Sequence, residues 1–392
     1  MTKFDYLIVG GGMTADAAVR GIRELDKKGS IGLISSEKSS PYKRPPLTKG
    51  LWKGDAVQSI WLDTDKQNAE LRLGRRATQI DLSKKSVTDD QGTSCSYEKL
   101  LIATGGRPRR LPFGEGFLYY RLFTDYENLR ALANEKRRFA VIGGGFIGSE
   151  IAAALSMNGR EVTLVFPGES IGDRVFPPDL GAFLNARYRE KGVNLVPGDS
   201  VVGSERAGEA TVLTTKEGKR LEADAVVVGI GIEPEVDLAK AAGLPIENGI
   251  LVDERLGAGT PGVFAAGDVA SFRNPALAKR IRVEHEDNAI TMGRAAGRNM
   301  AGADEPYEHL PFFYSDLFEF GYEAVGEVDP KLETFADWKE PHREGVVYYL
   351  ADGRVRGVLL WNVWNQVDAA RRLIASKGPF RPDDLRGRLP ES

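Results

Sequence analysis

Phe4-Asp5-Tyr6-Leu7-Ile8-Val9-Gly10-Gly11-Gly12-Met13-Thr14-Ala15 stands near the start of the chain, and Arg138-Phe139-Ala140-Val141-Ile142-Gly143-Gly144-Gly145-Phe146-Ile147-Gly148 repeats its plan. Each is an apolar run of strand length, then a glycine-rich turn, then a helical pattern that reaches Leu25 in the first copy and Met157 in the second. A second apolar run follows each helix, Ile31 to Ile34 and Val162 to Phe166. Glycine serves such a turn because a backbone without Cβ lets a pyrophosphate approach. The helix N-terminus behind it offers unpaired N–H groups and a positive dipole end. One such turn says little. Two of them, each between a strand and a helix, predict that one nucleotide-binding unit has been used twice.

Working outward, Tyr97 to Thr104 reads as a buried strand ending in Ala103-Thr104-Gly105-Gly106, and Ala225 to Gly231 is its counterpart after the second copy. Gly262 to Asp268 reads as a short strand closing on Gly267-Asp268, and Ala289 to Met300 as a helix with small residues on one face. From about His309 the pattern changes to alternating aromatic and β-branched runs: Tyr322 to Val328, Val346 to Leu350 and Val355 to Trp361. These predict an antiparallel sheet, closed by a helix over Val367 to Ser376. The tail from Gly378, rich in Pro and Arg, reads as poorly structured. The fold class expected is therefore α/β: two Rossmann-like dinucleotide-binding domains, one inserted in the other, plus a C-terminal α+β domain. The boundaries expected are 1–117 and 245–308 for the domain of the first copy, 118–244 for the inserted domain of the second copy and 309–392 for the last.

Bulk properties narrow the function. A chain of 392 residues is long for one core and suits two or three domains. Its net charge of -3 gives no broad positive field for nucleic acid or an anionic membrane. One cysteine, Cys95, excludes an intrachain disulfide, a Cys-x-x-Cys redox pair and a multi-cysteine metal site. No metal site is expected. No signal-like segment precedes Phe4 and no apolar run approaches bilayer length, so a soluble, untargeted, cytoplasmic protein without a membrane span is expected.

In this motif an acidic residue about 20 positions beyond the turn takes the adenosine ribose hydroxyls, and Glu37 and Glu169 fall there. Either also suits a solvated loop carboxylate. The loop Phe166-Pro167-Gly168-Glu169-Ser170 has no Arg or Lys to receive a 2′-phosphate, which favours NADH over NADPH. Two dinucleotides imply electron transfer between them, since hydride chemistry belongs to the cofactors and the protein positions them.

Gly10-x-Gly12-x-x-Ala15, Ala103-Thr104-Gly105, Gly143-x-Gly145-x-x-Gly148 and Gly267-Asp268 occur in this order in the two-dinucleotide-binding flavoproteins, which the chain resembles. Pro41-Tyr42-Lys43-Arg44-Pro45-Pro46-Leu47-Thr48-Lys49 narrows the resemblance to ferredoxin-reductase and apoptosis-inducing-factor relatives. The segments Arg282-Val283-Glu284-His285, Tyr314-Ser315-Asp316-Leu317, Gly321 to Gly326 and Leu360-Trp361-Asn362 are most similar to apoptosis-inducing factor. The resemblance implies that the first copy holds FAD, with Asp268 on the ribityl chain and Arg121 near the phosphates or adenine. It implies that Arg44 and Lys49 approach the flavin, with Lys49 paired to Glu150 and Tyr314 in the ring environment. It implies NADH on the second copy, through Gly143, Gly145, Ile147 and Gly148, with Phe146 moving aside for the nicotinamide. Glu284 and Gly231 would line the nicotinamide side, and His285 would lie close to the rings.

Several of these residues carry their own physical case. Lys49 follows two prolines on a stiffened segment suited to placing a cation near flavin N1/N5; a surface lysine is the plainer reading. Glu150 lies on the first turns of the second nucleotide helix, where a solvated carboxylate is equally ordinary. Asp268 also suits an N-cap, His285 a structural hydrogen-bonder, and Phe146 plain core packing. The chain departs from the mammalian factor by Tyr314 in place of Trp, by lacking its insertion between Phe335 and Val346, and by lacking basic DNA-binding character. No cysteine lies near Pro41–Lys49, so dithiol and sulfenate chemistry is excluded as the second half-reaction. The activity expected is hydride transfer from NADH to FAD, then electron transfer to a small-molecule or small redox-protein acceptor, in a monomer or an NADH-dependent dimer. A ferredoxin or rubredoxin reductase of an oxygenase system, and an NADH-responsive redox-sensing binding protein, are the alternatives.

Overall fold

The structure, a computed structural model, describes residues 2–389. The chain divides into two compact units. One comprises residues 1–44, 57–107 and 233–311, the other 45–56, 108–232 and 312–392.

The first unit is built on a seven-stranded sheet. Its order runs Ala69–Leu73, Ile31–Ser35, Thr2–Val9, Ser94–Ile102, Ser86–Asp89, Ala77–Asp81, and Val263–Ala265 also pairs with Ser94–Ile102. Thr2–Val9 is parallel to both of its neighbours, with Val9 opposite Ile34 and Ile102. Strands buried on both faces need apolar side chains throughout, and Leu7, Ile8, Leu33, Leu100, Leu101 and Ile102 are almost wholly buried. The predicted first helix is Met13–Leu25, and its alanines Ala15, Ala17 and Ala18 face inward. The helix Glu286–Met300 approaches it so closely that a Cβ on Gly297 would lie 2.1 Å from the Ala18 carbonyl oxygen.

The second unit repeats the plan. Val193–Val196, Glu161–Val165, Arg138–Ile142, Ala225–Val228 and Leu118–Tyr119 form a five-stranded sheet whose neighbours are all parallel. The helix Phe146–Met157 follows the second glycine turn. The unit also holds an antiparallel five-stranded sheet in the order Phe312–Leu317, Phe320–Gly326, Arg354–Trp361, Glu344–Ala351, Glu333–Glu340, with the helix Val367–Ala375. Trp361, Tyr322, Tyr348 and Tyr349 are fully buried there.

One expectation needs correction, and three strands escape the sequence pattern. The tail from Gly378 carries a short helix, Pro382–Leu385, with Leu385 buried and Leu389 nearly so, because these two apolar side chains give an otherwise polar segment something to pack. The sequence reading also overlooked the antiparallel strands Val201–Ala207, Ala210–Thr215 and Arg220–Ala223, whose exposed outer residues blur the period-two pattern.

Candidate functional site

Both glycine turns have the form an incoming phosphate needs. Gly10 and Gly143 have φ of +134° and +115°, and a Cβ there would lie 2.1 Å from the Ala103 carbonyl oxygen and 2.3 Å from that of Gly229. Each thus sits where two parallel strands end side by side, the place where α/β sheets bind ligands. Gly12 and Gly145 occupy the N-cap positions of the two helices, with no side-chain cap on either. A Cβ on Gly145 would meet nothing within 4 Å, and one on Gly12 would meet only the Arg44 guanidinium, at 3.7 Å. Uncapped helix N–H groups are the donors a dinucleotide pyrophosphate requires, so the residues present fit the group.

In the first unit the structure brings together much of the predicted FAD set. Glu37, just beyond the Ile31–Ser35 strand, accepts hydrogen bonds from Tyr42 Oη (2.6 Å) and Arg44 Nη2 (2.5 Å), and Arg44 Nη1 donates to Tyr42 Oη (3.0 Å). Ala15 is wholly buried against the turn. Ala103 hydrogen-bonds the Val9 carbonyl, while Thr104 Oγ1 donates to the carbonyl of Glu235 (2.7 Å) and Gly105 accepts from the Glu235 amide (2.9 Å). The Ala103-Thr104-Gly105 turn is therefore pinned on both sides. Asp268 lies inside a 3-10 turn, Gly267–Val269, whose cap position is Ala266, so it is not the N-cap that its position suggested. His285 is the N-cap residue of Glu286–Met300, and Glu284 pairs with Arg282 at 2.7 Å.

In the second unit Lys49, Glu150 and Tyr314 meet, joined by Thr48 and Ser315, to which the sequence alone assigns no role. Glu150 is 4% exposed. Its Oε1 accepts from Lys49 Nζ and Ser315 Oγ, and its Oε2 from Thr48 Oγ1, each at 2.5 Å. The Lys49 ammonium also lies 5.4 Å from the Tyr314 ring centroid, within cation–π range. Phe146 packs edge-on against Phe313 at 5.2 Å. The Tyr188 and Tyr322 hydroxyls are held above the ordinary tyrosine range, first by burial and then by the Glu150 carboxylate. Glu150 is thus a buried, triply bonded anion, not a solvated helix carboxylate. Removing one partner of such a pair costs about 3–5 kcal/mol. Thr48 and Ser315 stand within the segments that carry the resemblance but have no role assigned by sequence, since nothing in the spacing from 48 to 315 announces a shared partner.

The remaining residues expected at the site make other contacts. Glu169 is exposed, its carbonyl accepting from Asn185 Nδ2 (2.9 Å). Ile147 is 36% exposed beside Gly145, whereas Gly148 is buried. Gly231, exposed with φ +93°, accepts from the Arg109 amide (3.0 Å), and the Arg121 amide donates to Asp125 Oδ2 (2.9 Å). Cys95 is buried with Arg72 Nη1 2.8 Å from its sulfur, and burial pushes the thiol up, away from the reactive thiolate. Among the described residues, no group of three or more His, Cys, Asp or Glu side chains is arranged to hold a metal ion.

The match to known proteins follows this geometry. Residues 4–293 match the pyridine nucleotide-disulphide oxidoreductase family. The chain belongs to that family. Residues 296–344 and 336–376 further match the C-terminal domain of apoptosis-inducing factor, mitochondrion-associated. The chain is 37% identical to apoptosis-inducing factor 1, mitochondrial, of Dictyostelium discoideum, over 96% of its own length and 79% of the relative's. It is 34% identical to the ferredoxin–NAD(+) reductase component of the anthranilate 1,2-dioxygenase system of Burkholderia cepacia, over 98% and 97%. Its fold superimposes on the reductase of a covalent putidaredoxin reductase–putidaredoxin complex with a TM-score of 0.91 at 30% identity, covering 98% of this chain and 96% of that one. The chain is a flavoprotein oxidoreductase using FAD and a pyridine nucleotide. Despite the family's name, its single cysteine leaves it without an intrachain disulfide. No described helix is long and apolar enough to cross a membrane.

Proposed function

We propose that this chain is an NADH-dependent reductase that passes electrons to a small redox protein or small molecule, without thiol chemistry. The two uncapped glycine turns carry the reading: one chain offers two dinucleotide cradles and no cysteine pair. The bound cofactors supply the redox step, a hydride from nicotinamide to flavin and then electrons to the acceptor. The three-domain division at 117/118, 244/245 and 308/309 belongs to the same proposal.

Within it the residues divide the work. Gly10, Gly12 and Ala15 shape the FAD cradle, with Glu37 for the ribose and Arg44, Ala103, Thr104, Gly105, Arg121 and Asp268 holding the rest of the cofactor. Gly143, Gly145, Ile147 and Gly148 shape the NADH cradle, with Glu169 for the ribose and Gly231 and Glu284 on the nicotinamide side. Phe146 is the residue displaced by nicotinamide. Lys49, held by Glu150, offers a fixed cation to the electron-rich reduced flavin, where positive charge is stabilising. His285 and Tyr314 position the rings. Hydride transfer needs no proton carrier, so no acid–base role falls to His285. NADH is preferred because the loop 166–170 lacks Arg and Lys, and Asp173 packs its carboxylate against Gly168, where a 2′-phosphate would be repelled.

Anaerobic titration with NADH and with NADPH tests the reading. Flavin bleaching by NADH at lower concentration than by NADPH is expected, and a flavin that NADH leaves unchanged overturns it. A second reading, reductase for a ferredoxin, is favoured by the similarity to the putidaredoxin reductase of the covalent complex. Stopped-flow oxidation of the reduced protein by a [2Fe–2S] ferredoxin no faster than by oxygen removes that reading.

A further inference from the structure

Behind Glu284 and His285 runs a partly buried polar network that the redox step itself does not use. After the helix Glu286–Met300 ends, residues 305–309 turn back along it, and both ends of the helix are bonded to this strap. At the far end Asn299 exchanges hydrogen bonds with the Glu305 backbone, Oδ1 accepting at 2.8 Å and Nδ2 donating at 2.9 Å. Midway, Tyr307 Oη donates to Asn288 Oδ1 at 3.0 Å and lies 2.9 Å from Thr291 Oγ1, which itself donates to the Asp287 carbonyl at 2.7 Å. At the near end His309 Nε2 meets Asp287 Oδ2 at 2.6 Å, and Asn274 Nδ2 holds the His309 carbonyl at 2.9 Å.

The network reaches the segment before the helix. Asn288, fully buried, donates from Nδ2 to the Val283 carbonyl at 3.2 Å, and Arg282 Nη1 donates to the Asp268 carbonyl at 3.1 Å. Tyr307 is fixed in turn by its amide bond to the Glu254 carbonyl (2.7 Å) and by edge-on packing on Phe272 at 5.3 Å. The orientation of a helix start follows the hydrogen bonds made by the backbone that leads into it. Buried amides and hydroxyls supply that only when each is satisfied, because an unsatisfied one costs about 1–3 kcal/mol and lets the backbone drift.

We infer that Tyr307 and His309 are positioning residues: through Asn288 and Asp287 they fix the backbone of residues 283–285 and so tune the bound flavin. This rests on the proposal that Glu284 and His285 serve the cofactor rings. Loss of the Tyr307 hydroxyl frees Asn288 to rotate away from the Val283 carbonyl. A displacement on the order of 1 Å at a reacting centre lowers rate by as much as about a hundredfold while leaving remote binding groups in place.

The test uses the full-length FAD-loaded protein, NADH as donor and ferricyanide as acceptor. Tyr307→Phe and His309→Gln are expected to lower kcat about tenfold, with KM for NADH within about twofold, and to shift the flavin midpoint potential. Glu305→Gln, at the far end of the strap, is expected to match wild type in both. If Tyr307→Phe and His309→Gln keep wild-type kcat and potential while His285→Ala changes them, the inference fails and the reading of Glu284 and His285 survives. If His285→Ala and Glu284→Gln also change neither quantity, that reading fails and takes the inference with it.

Discussion

The first and second glycine turns share a backbone plan and differ in what covers it. At the first, Met13, Thr14 and Ala15 are buried and the Arg44 guanidinium stands over Gly12, tied to Glu37 and Tyr42. At the second, Gly145 is exposed, Ile147 is 36% exposed, and the counterpart acid Glu169 lies on the surface. Packing at the helix start runs the other way. The first turn leaves room for the Ala15 methyl, whereas a Cβ on Gly148 would fall 1.8 Å from the Gly143 carbonyl oxygen. A covered cradle suits a nucleotide that stays, and an open one suits a nucleotide that must leave after each turnover. On the proposed function, side chains outside the shared motif would tune one copy for retention and the other for exchange.

The contrast can be broken most severely at its covered end. Gly10→Val forces a branched side chain into a φ of +134° and against the Ala103 carbonyl. A loss of more than about 4 kcal/mol is expected, with protein recovered largely without flavin, read from the flavin-to-protein absorbance ratio and a thermal melt. Next, Lys49→Met asks whether the second unit contributes to chemistry as well as binding. It strands the buried Glu150 carboxylate with two hydroxyl donors, so about 3 kcal/mol of stability is expected to go. The rate of flavin reduction by NADH, measured by stopped flow, is expected to fall at least about tenfold.

Gly148→Ala sharpens the comparison, since it writes the Ala15 side chain into the second turn. Overpacking of about 2 kcal/mol is expected there. KM for NADH is expected to rise about tenfold while FAD occupancy stays at wild type; equal loss of both nucleotides would erase the distinction between the turns.

The smallest effect lies at the roots of the two first strands. Asp5 accepts from the Ser30 amide and hydroxyl, which hold its carboxyl below the ordinary range. Asp224 takes three nitrogens of Arg138, and those bonds pull its carboxyl to about 2. A depressed carboxyl contributes stability above its unfolded pKa, about 3.9, and loses it as pH falls through the folded value. Asp224→Asn is therefore expected to cost about 1 kcal/mol at neutral pH, after allowance for solvent screening. Melts at stepped pH check this: the gap to wild type should be constant from pH 7 to 5 and close as pH approaches about 2.

The C-terminal ends of the first helices, Met13–Leu25 and Phe146–Met157, were legible because helix and turn signals are local. So were the glycines, whose need for open backbone is written at the position itself. The Glu37–Tyr42–Arg44 group was half legible: Glu37 by spacing and Arg44 by resemblance, with Tyr42 unremarked although its hydroxyl joins them. The strap was illegible, since Tyr307 and His309 have no local pattern and act on residues 283–288 only because the chain doubles back.

The sequence by itself determined that two dinucleotide cradles exist, that their order is strand, glycine, helix, and that no cysteine pair is available, because each follows from neighbouring residues or from a residue count. Only the tertiary structure decided that Glu150 is a buried anion shared by Thr48, Lys49 and Ser315, and that the first cradle is covered while the second is open. Burial and charge pairing depend on which distant segments exclude water from a group, and no stretch of sequence carries that alone.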